Sequence, residues 1–385
     1  MTDKTTDIAI IGGGAAGLAA AIALARAGWA PTLVAPSGQR PDGRTVALMH
    51  GSVSFLKEIG AWDALAPVAS PLVRLAIIDD TGGLFRAPPV TFDASELDLD
   101  AFGENVESAQ LVAGLEQVAA TLPAIRRVHD LVAAVEPDAE GVSLRLAGGG
   151  VLRCRLAVGA DGRTSKVREA AGIATRDWRY DQSAVTAILA HDRPHKDTST
   201  EFHTRTGPFT LVPMAGRRSS LVWLTTPREA ERLVALPPEA FARTVERQAH
   251  SMLGAMRLDG PRGCVPMGGL SVESFAAARC ALVGEAAHVF PPIGAQGLNL
   301  GLRDVAALGD CLGSPGGDPG SADRLAAYDR SRRADVRSRT FVVDAMNRSL
   351  LAGWLPVDAL RGAGLIAVSS IKPLRRAVMK QGLGA

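Results

Sequence analysis

Apolar positions fall into different patterns along this chain, and the changes of pattern divide it. Near the start, Asp7-Ile8-Ala9-Ile10-Ile11 is an almost unbroken apolar run that stops at glycine, the pattern of a parallel strand buried on both faces. An Ala/Leu-rich stretch over 15–27 follows with helical spacing and ends at Gly28. Thr32-Leu33-Val34 then predicts a second strand, so the chain opens as a βαβ unit. Helices are predicted over 52–65 and 109–121. Short antiparallel strands are predicted over 131–135, 142–146 and 151–155, the last two joined by a hairpin at Gly148-Gly149-Gly150. A buried strand over 156–160 and a helix over 164–171 restore the α/β pattern.

Between about 182 and 274 the period changes to two. Phe209-Thr210-Leu211-Val212 and Ser220-Leu221-Val222-Trp223-Leu224 alternate and predict a half-exposed sheet, interrupted by a helix over 238–253. A core strand over 280–283, a helix over 297–312, a Gly/Pro loop over 313–320 and a long charged helix over 323–348 follow. The expected fold class is α/β: a Rossmann-like domain, an inserted mixed-sheet domain and C-terminal helices. The first is assigned to 1–75, 100–180 and 275–345, the insert to 76–99 and 181–274, and a helical tail to 346–385.

Composition narrows the classes. Hydrophobic residues make up 47% and charged residues 21% of 385 residues, enough for a full core and unlike a disordered chain. The net charge of +2, with no basic stripe interleaved with aromatics, argues against a nucleic-acid partner. Cys154, Cys264, Cys280 and Cys311 form no C-x-x-C pair and have no histidine cluster nearby, so no metal site is expected. A reducing compartment fits such thiols. The polar first residues do not look like a secretory signal, and no apolar run reaches the ~18 residues that span a bilayer. A cytoplasmic location is expected.

Three segments carry chemistry. Gly12-Gly13-Gly14-Ala15-Ala16-Gly17 is a G-x-G-x-x-G between a strand and a helix. Gly12 permits a tight turn, Gly14 lets backbone approach a pyrophosphate, and Gly17 lets helix and strand pack closely. The helix start at Ala15 offers unpaired N–H groups to phosphate. An acidic residue for the ribose is expected ~20 residues on, but the chain has Ala35 and Pro36 there. The second segment runs from Ala160-Asp161-Gly162-Arg163 into a helix; Asp161 and Thr164 read equally well as cap or turn residues. In the third, from Gly284 to Asn299, a strand delivers Glu285 into a turn, and a Pro/Gly loop leads to a helix beginning near Gly297, Leu298 and Asn299. A carboxylate there can accept hydrogen bonds from a polyol, and the helix start suits a ligand edge that gains negative charge. His288 reads more readily as a structural histidine than as a proton carrier.

Together the three segments resemble the aromatic-ring flavoprotein monooxygenases of the p-hydroxybenzoate hydroxylase fold, and within them the ubiquinone-biosynthesis hydroxylases. The likeness extends to Asp42-Gly43-Arg44-Thr45, Tyr180-Asp181-Gln182, Gly207-Pro208-Phe209, Leu298-Asn299-Leu300-Gly301-Leu302-Arg303-Asp304 and Tyr328-Asp329-Arg330-Ser331-Arg332-Arg333-Ala334-Asp335. The resemblance implies FAD as cofactor, with NAD(P)H as a transient reductant. It places Gly12, Gly14, Ala15 and Gly17 at the pyrophosphate, Arg44 near pyrophosphate and flavin, and Gln110 on the cofactor. Asp161 falls where FAD and nicotinamide binding are linked. Glu285 bonds the ribitol, Pro292 packs near the flavin ring, and Gln296, Gly297, Leu298 and Asn299 meet its edge. Pro292 and Gln296 are the residues expected nearest the chemistry. Three departures stand out: Ala35, Glu285 in place of the more usual Asp, and the order Gly294-Ala295.

The reaction so implied is hydroxylation of a hydrophobic phenol with O2, through a flavin C4a-hydroperoxide, which explains the lack of a hydrolytic triad or metal cluster. A halogenase would carry a W-x-W pair, whereas Trp29, Trp62, Trp178, Trp223 and Trp354 are scattered. An isoprenoid reductase and a non-catalytic FAD-bearing scaffold in a biosynthetic complex remain open. Over 364–380, apolar residues mix with Lys372, Arg375, Arg376 and Lys380. That mixture suits a peripheral contact with the inner membrane surface or packing on protein.

Overall fold

The computed structural model describes residues 4–36, 38, 43–82, 88–290, 296–351, 375–377 and 379, the side chains of 337–351 excepted. The opening apolar run becomes strand Lys4–Ile11, at the centre of a sheet in the order Ala276–Ala277, Cys280–Leu282, Val151–Gly159, Lys4–Ile11, Thr32–Val34, Arg126–Val128. Its central pairings are parallel, and Ile8, Ala9 and Ile10 are fully buried, as two covered faces require. Helix Ala15–Arg26 covers one face with Leu18, Ile22 and Leu24.

The stretches 151–155 and 156–160, expected as two strands, are one strand, Val151–Gly159. Its first half pairs antiparallel with Val142–Leu146 and its second half parallel with Cys280–Leu282. A change of partner, with no break in the chain, produced the apparent boundary. The helix expected over 52–65 is shorter, His50–Glu58, and is followed by Gly60 at φ 68°. The helix expected over 238–253 is Pro238–Gln248.

A second eight-stranded sheet is mostly antiparallel, in the order His288–Val289, Met256–Val272, Thr175–His191, Arg218–Thr225, Gly207–Met214, Thr198–Thr204, Arg74–Asp79, Val90–Asp93. The expectation of a half-exposed sheet is corrected. Phe202, Phe209, Leu211, Leu221 and Trp223 are buried beneath helices Pro227–Ala235 and Pro238–Gln248. The first of these helices was not anticipated, although Thr226 caps it by accepting from Glu229 N–H and Pro227 occupies its first turn. On the opposite face the alternate residues Thr210, Val212 and Val222 are half-buried. A small third sheet, Thr45–Met49, Gly103–Glu107 and Ser70–Pro71, lies between the two larger ones. Thr45 Oγ1 meets Ser220 Oγ at 2.7 Å, and Asn105 Nδ2 donates to Pro213 O at 2.8 Å. The border drawn at 180/181 falls inside the long strand Thr175–His191.

Candidate functional site

The C-terminal ends of the parallel strands bring the three segments together. Gly12 stands at φ 118°, and a Cβ there would lie 2.1 Å from the Ala160 carbonyl oxygen. A Cβ on Gly17 would lie 2.0 Å from Gly12 O. Both glycines are demanded by the fold. Gly14 is different: its φ of −74° and ψ of 175° suit any residue, and a Cβ there would meet nothing within 4 Å. Among the described residues no contact calls for glycine at this position. Helix Ala15–Arg26 begins at that point with no side-chain cap and no acidic residue in its first turn. Its leading N–H groups and the positive end of its dipole suit an anion. The neighbouring strand Thr32–Val34 is followed by Ala35, which offers no carboxylate and lies close against Gly13.

Asp161 follows directly from strand Val151–Gly159. Its Oδ2 accepts from the N–H groups of Lys166 and Val167 at 2.8 and 3.3 Å, which anchors the start of helix Lys166–Ala170. The capping reading is therefore real, with Ser165 as a second cap through Arg168 N–H. Asp161 Oδ1 is buried with no protein partner among the described residues, an acceptor left for a ligand donor.

Strand Cys280–Leu282 delivers the third segment beside these two: Val283 N–H donates to Gly159 O, and a Cβ on Gly284 would lie 3.1 Å from Ala16 Cβ. Glu285 is exposed in the short turn Gly284–Ala286. Gln296 and Gly297 open helix Gln296–Leu312, and a Cβ on Gly297 would meet nothing within 4 Å. Leu298 is half-buried beside the core of the parallel sheet. Asn299 Oδ1 accepts from Met49 N–H at 2.8 Å and Ser52 Oγ at 2.6 Å, while its Nδ2 donates to Ala47 O at 2.8 Å. This side chain is a clamp between the helix and strand Thr45–Met49. Arg44 is exposed just before that strand, and Gln110 is exposed in the first turn of helix Ser108–Ala120. Pro292, with Gly294 and Ala295, lies outside the described residues.

His288 is structural. Its Nε2 meets Asp304 Oδ2 at 2.6 Å, both side chains being fully buried. Asp304 also accepts from Gly284 N–H at 2.9 Å and, through Oδ1, from Arg332 Nε at 2.7 Å. Arg332 reaches Asp335 at 2.8 Å. Burial opposes the charge on Arg332, but Asp304 and Asp335 together hold its pKa above the ordinary value. This network locks the turn that presents Glu285, and sequence reasoning had given Asp304 and Arg332 no role. Their signal was present in the two charged motifs around 303–304 and 328–335, but what joins them is contact across the fold. Among the described residues no group of acidic, Cys or His side chains could hold a metal ion.

At the tail, Arg375 donates to both Glu96 carboxylate oxygens and stacks its guanidinium over Phe92, while Met379 is buried beside Val90 and Phe102. These described residues pack on the chain itself; the rest of the 364–380 stretch lies outside the described set.

Comparison with known proteins agrees with this geometry. A family model described as FAD binding domain matches residues 5–340. A ubiquinone hydroxylase of Rhodospirillum rubrum is 35% identical, over 99% of this chain and 90% of its own length. The 3-demethoxyubiquinol 3-hydroxylase of Escherichia coli is 32% identical over the full length of both chains. The crystal structure of p-nitrophenol 4-monooxygenase from Pseudomonas putida superposes with a TM-score of 0.81 over 99% of each chain, at 20% identity.

Proposed function

Because the chain belongs to the FAD-binding aromatic hydroxylases, as an FAD-dependent monooxygenase of the ubiquinone-biosynthesis group, we propose that it hydroxylates the aromatic ring of a polyprenylated phenol. The observation that carries the cofactor assignment is Gly14, a glycine that no described residue requires, at the uncapped start of a helix. Gly12, Gly14, Ala15 and Gly17 take the pyrophosphate. The free Oδ1 of Asp161 accepts from a cofactor hydroxyl. Glu285 serves the ribitol, Arg44 and Gln110 flank the cofactor, and the backbone at Gln296, Gly297, Leu298 and Asn299 serves the ring edge, with Pro292 beside it. FAD supplies the redox chemistry, NAD(P)H the electrons and O2 the inserted atom. The protein orients the ring and keeps water away. Ala35 leaves the ribose without a carboxylate, so FAD is held by phosphate and ribitol contacts and is lost in part on dilution.

The relatives named for ubiquinone hydroxylation support a quinone precursor as substrate. A substrate of that kind resides in lipid, so the enzyme works as a peripheral protein at the inner membrane surface; among the described residues no helix is long and apolar enough to cross a bilayer. Purified protein incubated with NADPH, a short-chain prenylated phenol and labelled oxygen gas should yield product carrying one labelled atom. Flavin bleaching without oxygen uptake would point to an isoprenoid reductase, and no bleaching at all to a scaffold.

A further inference from the structure

The antiparallel sheet packs its two faces differently: one lies under two helices, and the other carries smaller apolar clusters around Leu224 and Met267 and around Val90 and Phe92, with polar side chains between them. Residues paired across strands share a face, and neighbours along a strand alternate. Phe202, Phe209, Leu221 and Trp223 pack under the two helices. The opposite face carries Ser220, which touches Thr45 beside Arg44, and so it looks toward the glycine-rich strand ends. One rung on that face runs Thr186, Val222, Thr210, Glu201 across four strands. All four are half-buried, and Val222 packs against the cluster of Ala184, Leu224 and Met267.

Glu201 is the charged member of this rung. Its Oε1 accepts from His203 Nε2 at 2.8 Å and its Oε2 from Thr210 Oγ1 at 3.3 Å. With one ring nitrogen donating to the carboxylate, His203 Nδ1 is left buried without a hydrogen-bond partner among the described residues. His203 thus orients the carboxylate. The side chain of Glu201 remains 20% exposed. The result is an oriented acceptor on a half-apolar wall, about 10 Å along the rung from Val222 at ~4.8 Å per strand.

We propose that Glu201 is the group that recognises the substrate hydroxyl and takes its proton, with His203 and Thr210 as positioning residues. As the ring becomes nucleophilic, the phenolic O–H bond breaks and a carboxyl O–H bond forms on Glu201 Oε2. No electrons are transferred in this step. The assignment rests on the function proposed above, of which it specifies the substrate end.

The test uses the FAD-loaded enzyme with a short-chain prenylated phenol and its methyl ether, binding being read from the perturbed flavin spectrum. Wild-type enzyme should bind the phenol at least about tenfold tighter than the ether. Glu201→Gln should bind FAD normally and be reduced by NADPH normally, lose the preference for the phenol, and hydroxylate about 100-fold more slowly. His203→Asn should lower kcat about tenfold with KM little changed, and Glu201→Asp should recover part of the loss. Wild-type discrimination below twofold, or Glu201→Gln within threefold of wild-type turnover, would overturn the proposal. Should Glu201→Gln fail to fold, the wild-type phenol/ether ratio decides. If wild-type protein hydroxylates no phenol, the functional reading itself has failed, which is a different result.

Discussion

On the function proposed above, the two large sheets do different chemical work in different places. The parallel sheet is inert on both faces and acts at its strand ends, where Gly12, Asp161 and Glu285 leave the core within a few residues of one another. The antiparallel sheet is inert on one face and acts on the other, through every second residue of Thr198–Thr204, Gly207–Met214 and Arg218–Thr225. A strand end needs turn residues, and turn residues are unusual enough to be seen in a sequence. A sheet face needs only alternate positions, interleaved with core residues, and these blend into the ordinary pattern of an amphipathic strand.

The sharpest way to break this contrast is to disturb the strand ends from behind. Asp304→Ala would leave the buried Arg332 without its closest carboxylate and release Gly284 and His288. A loss of about 3–5 kcal/mol is expected in urea unfolding of the FAD-free protein. A loss below ~1 kcal/mol would mean the turn is not held by this network.

Next comes Gly14→Val. Losing about two charge-assisted contacts of ~1.5–3 kcal/mol each should weaken FAD at least ~100-fold. The backbone there tolerates a side chain, so thermal unfolding of the FAD-free variant should match that of FAD-free wild type. Full flavin occupancy would show that the phosphate lies elsewhere. Gly17→Val is the counterpart: it should damage the fold itself, because its Cβ has no room beside Gly12 O.

On the sheet face, Val222→Trp should lower kcat/KM for a prenylated phenol about tenfold by crowding the face that carries Glu201, with FAD retained. Trp223→Ala, one residue along, should instead cost about 3–5 kcal/mol of stability. If the two variants behave alike, the faces are not distinct.

Thiol chemistry gives a smaller effect on the same axis. Burial pushes Cys154 and Cys280, in the core of the parallel sheet, up to about 12, whereas Cys264 is exposed. A thiol reagent at neutral pH should label Cys264 rapidly and the other two only on unfolding. Because their folded pKa lies above the unfolded value near 9.0, the stability contribution is complete below about pH 9 and declines as pH rises toward 12. Unfolding midpoints measured from pH 8 to 11 should fall accordingly.

The smallest effect concerns the tail. The hydrogen bonds from Arg375 hold the Glu96 carboxyl below its ordinary value, against a smaller opposing effect of burial. The docking is therefore intact above the unfolded glutamate pKa and lost as pH falls below it. Arg375→Ala should change global stability by no more than about 1 kcal/mol, yet expose the tail to limited proteolysis. Liposome binding that survives this variant unchanged would separate membrane contact from tail docking.

How much of this was legible follows from the same contrast. The βαβ opening, the Gly12–Gly17 turn and the turn at Asp161 were readable because special backbone demands special residues. Asn299 was readable as important, but its three bonds to Ala47, Met49 and Ser52 lie about 250 positions away and leave no local trace. Glu201 and His203 gave no signal, since charged residues at alternate strand positions usually face water. Helix Pro227–Ala235 did carry a readable start in Thr226, Pro227 and Glu229, and went unnoticed between two strong alternating runs.

The order of strands in the parallel sheet also sets a clock. Lys4–Ile11 must wait for its neighbour Val151–Gly159, which in turn waits for Cys280–Leu282 on its other side. At the usual ~5–20 residues per second of synthesis, the last of these leaves the ribosome about 15–60 seconds after the first. Until residue 159 is made the leading strand has one edge unpaired, and until residue 282 is made Val151–Gly159 has, so the nascent protein should depend on chaperones until its final third is made and should take up flavin only near release.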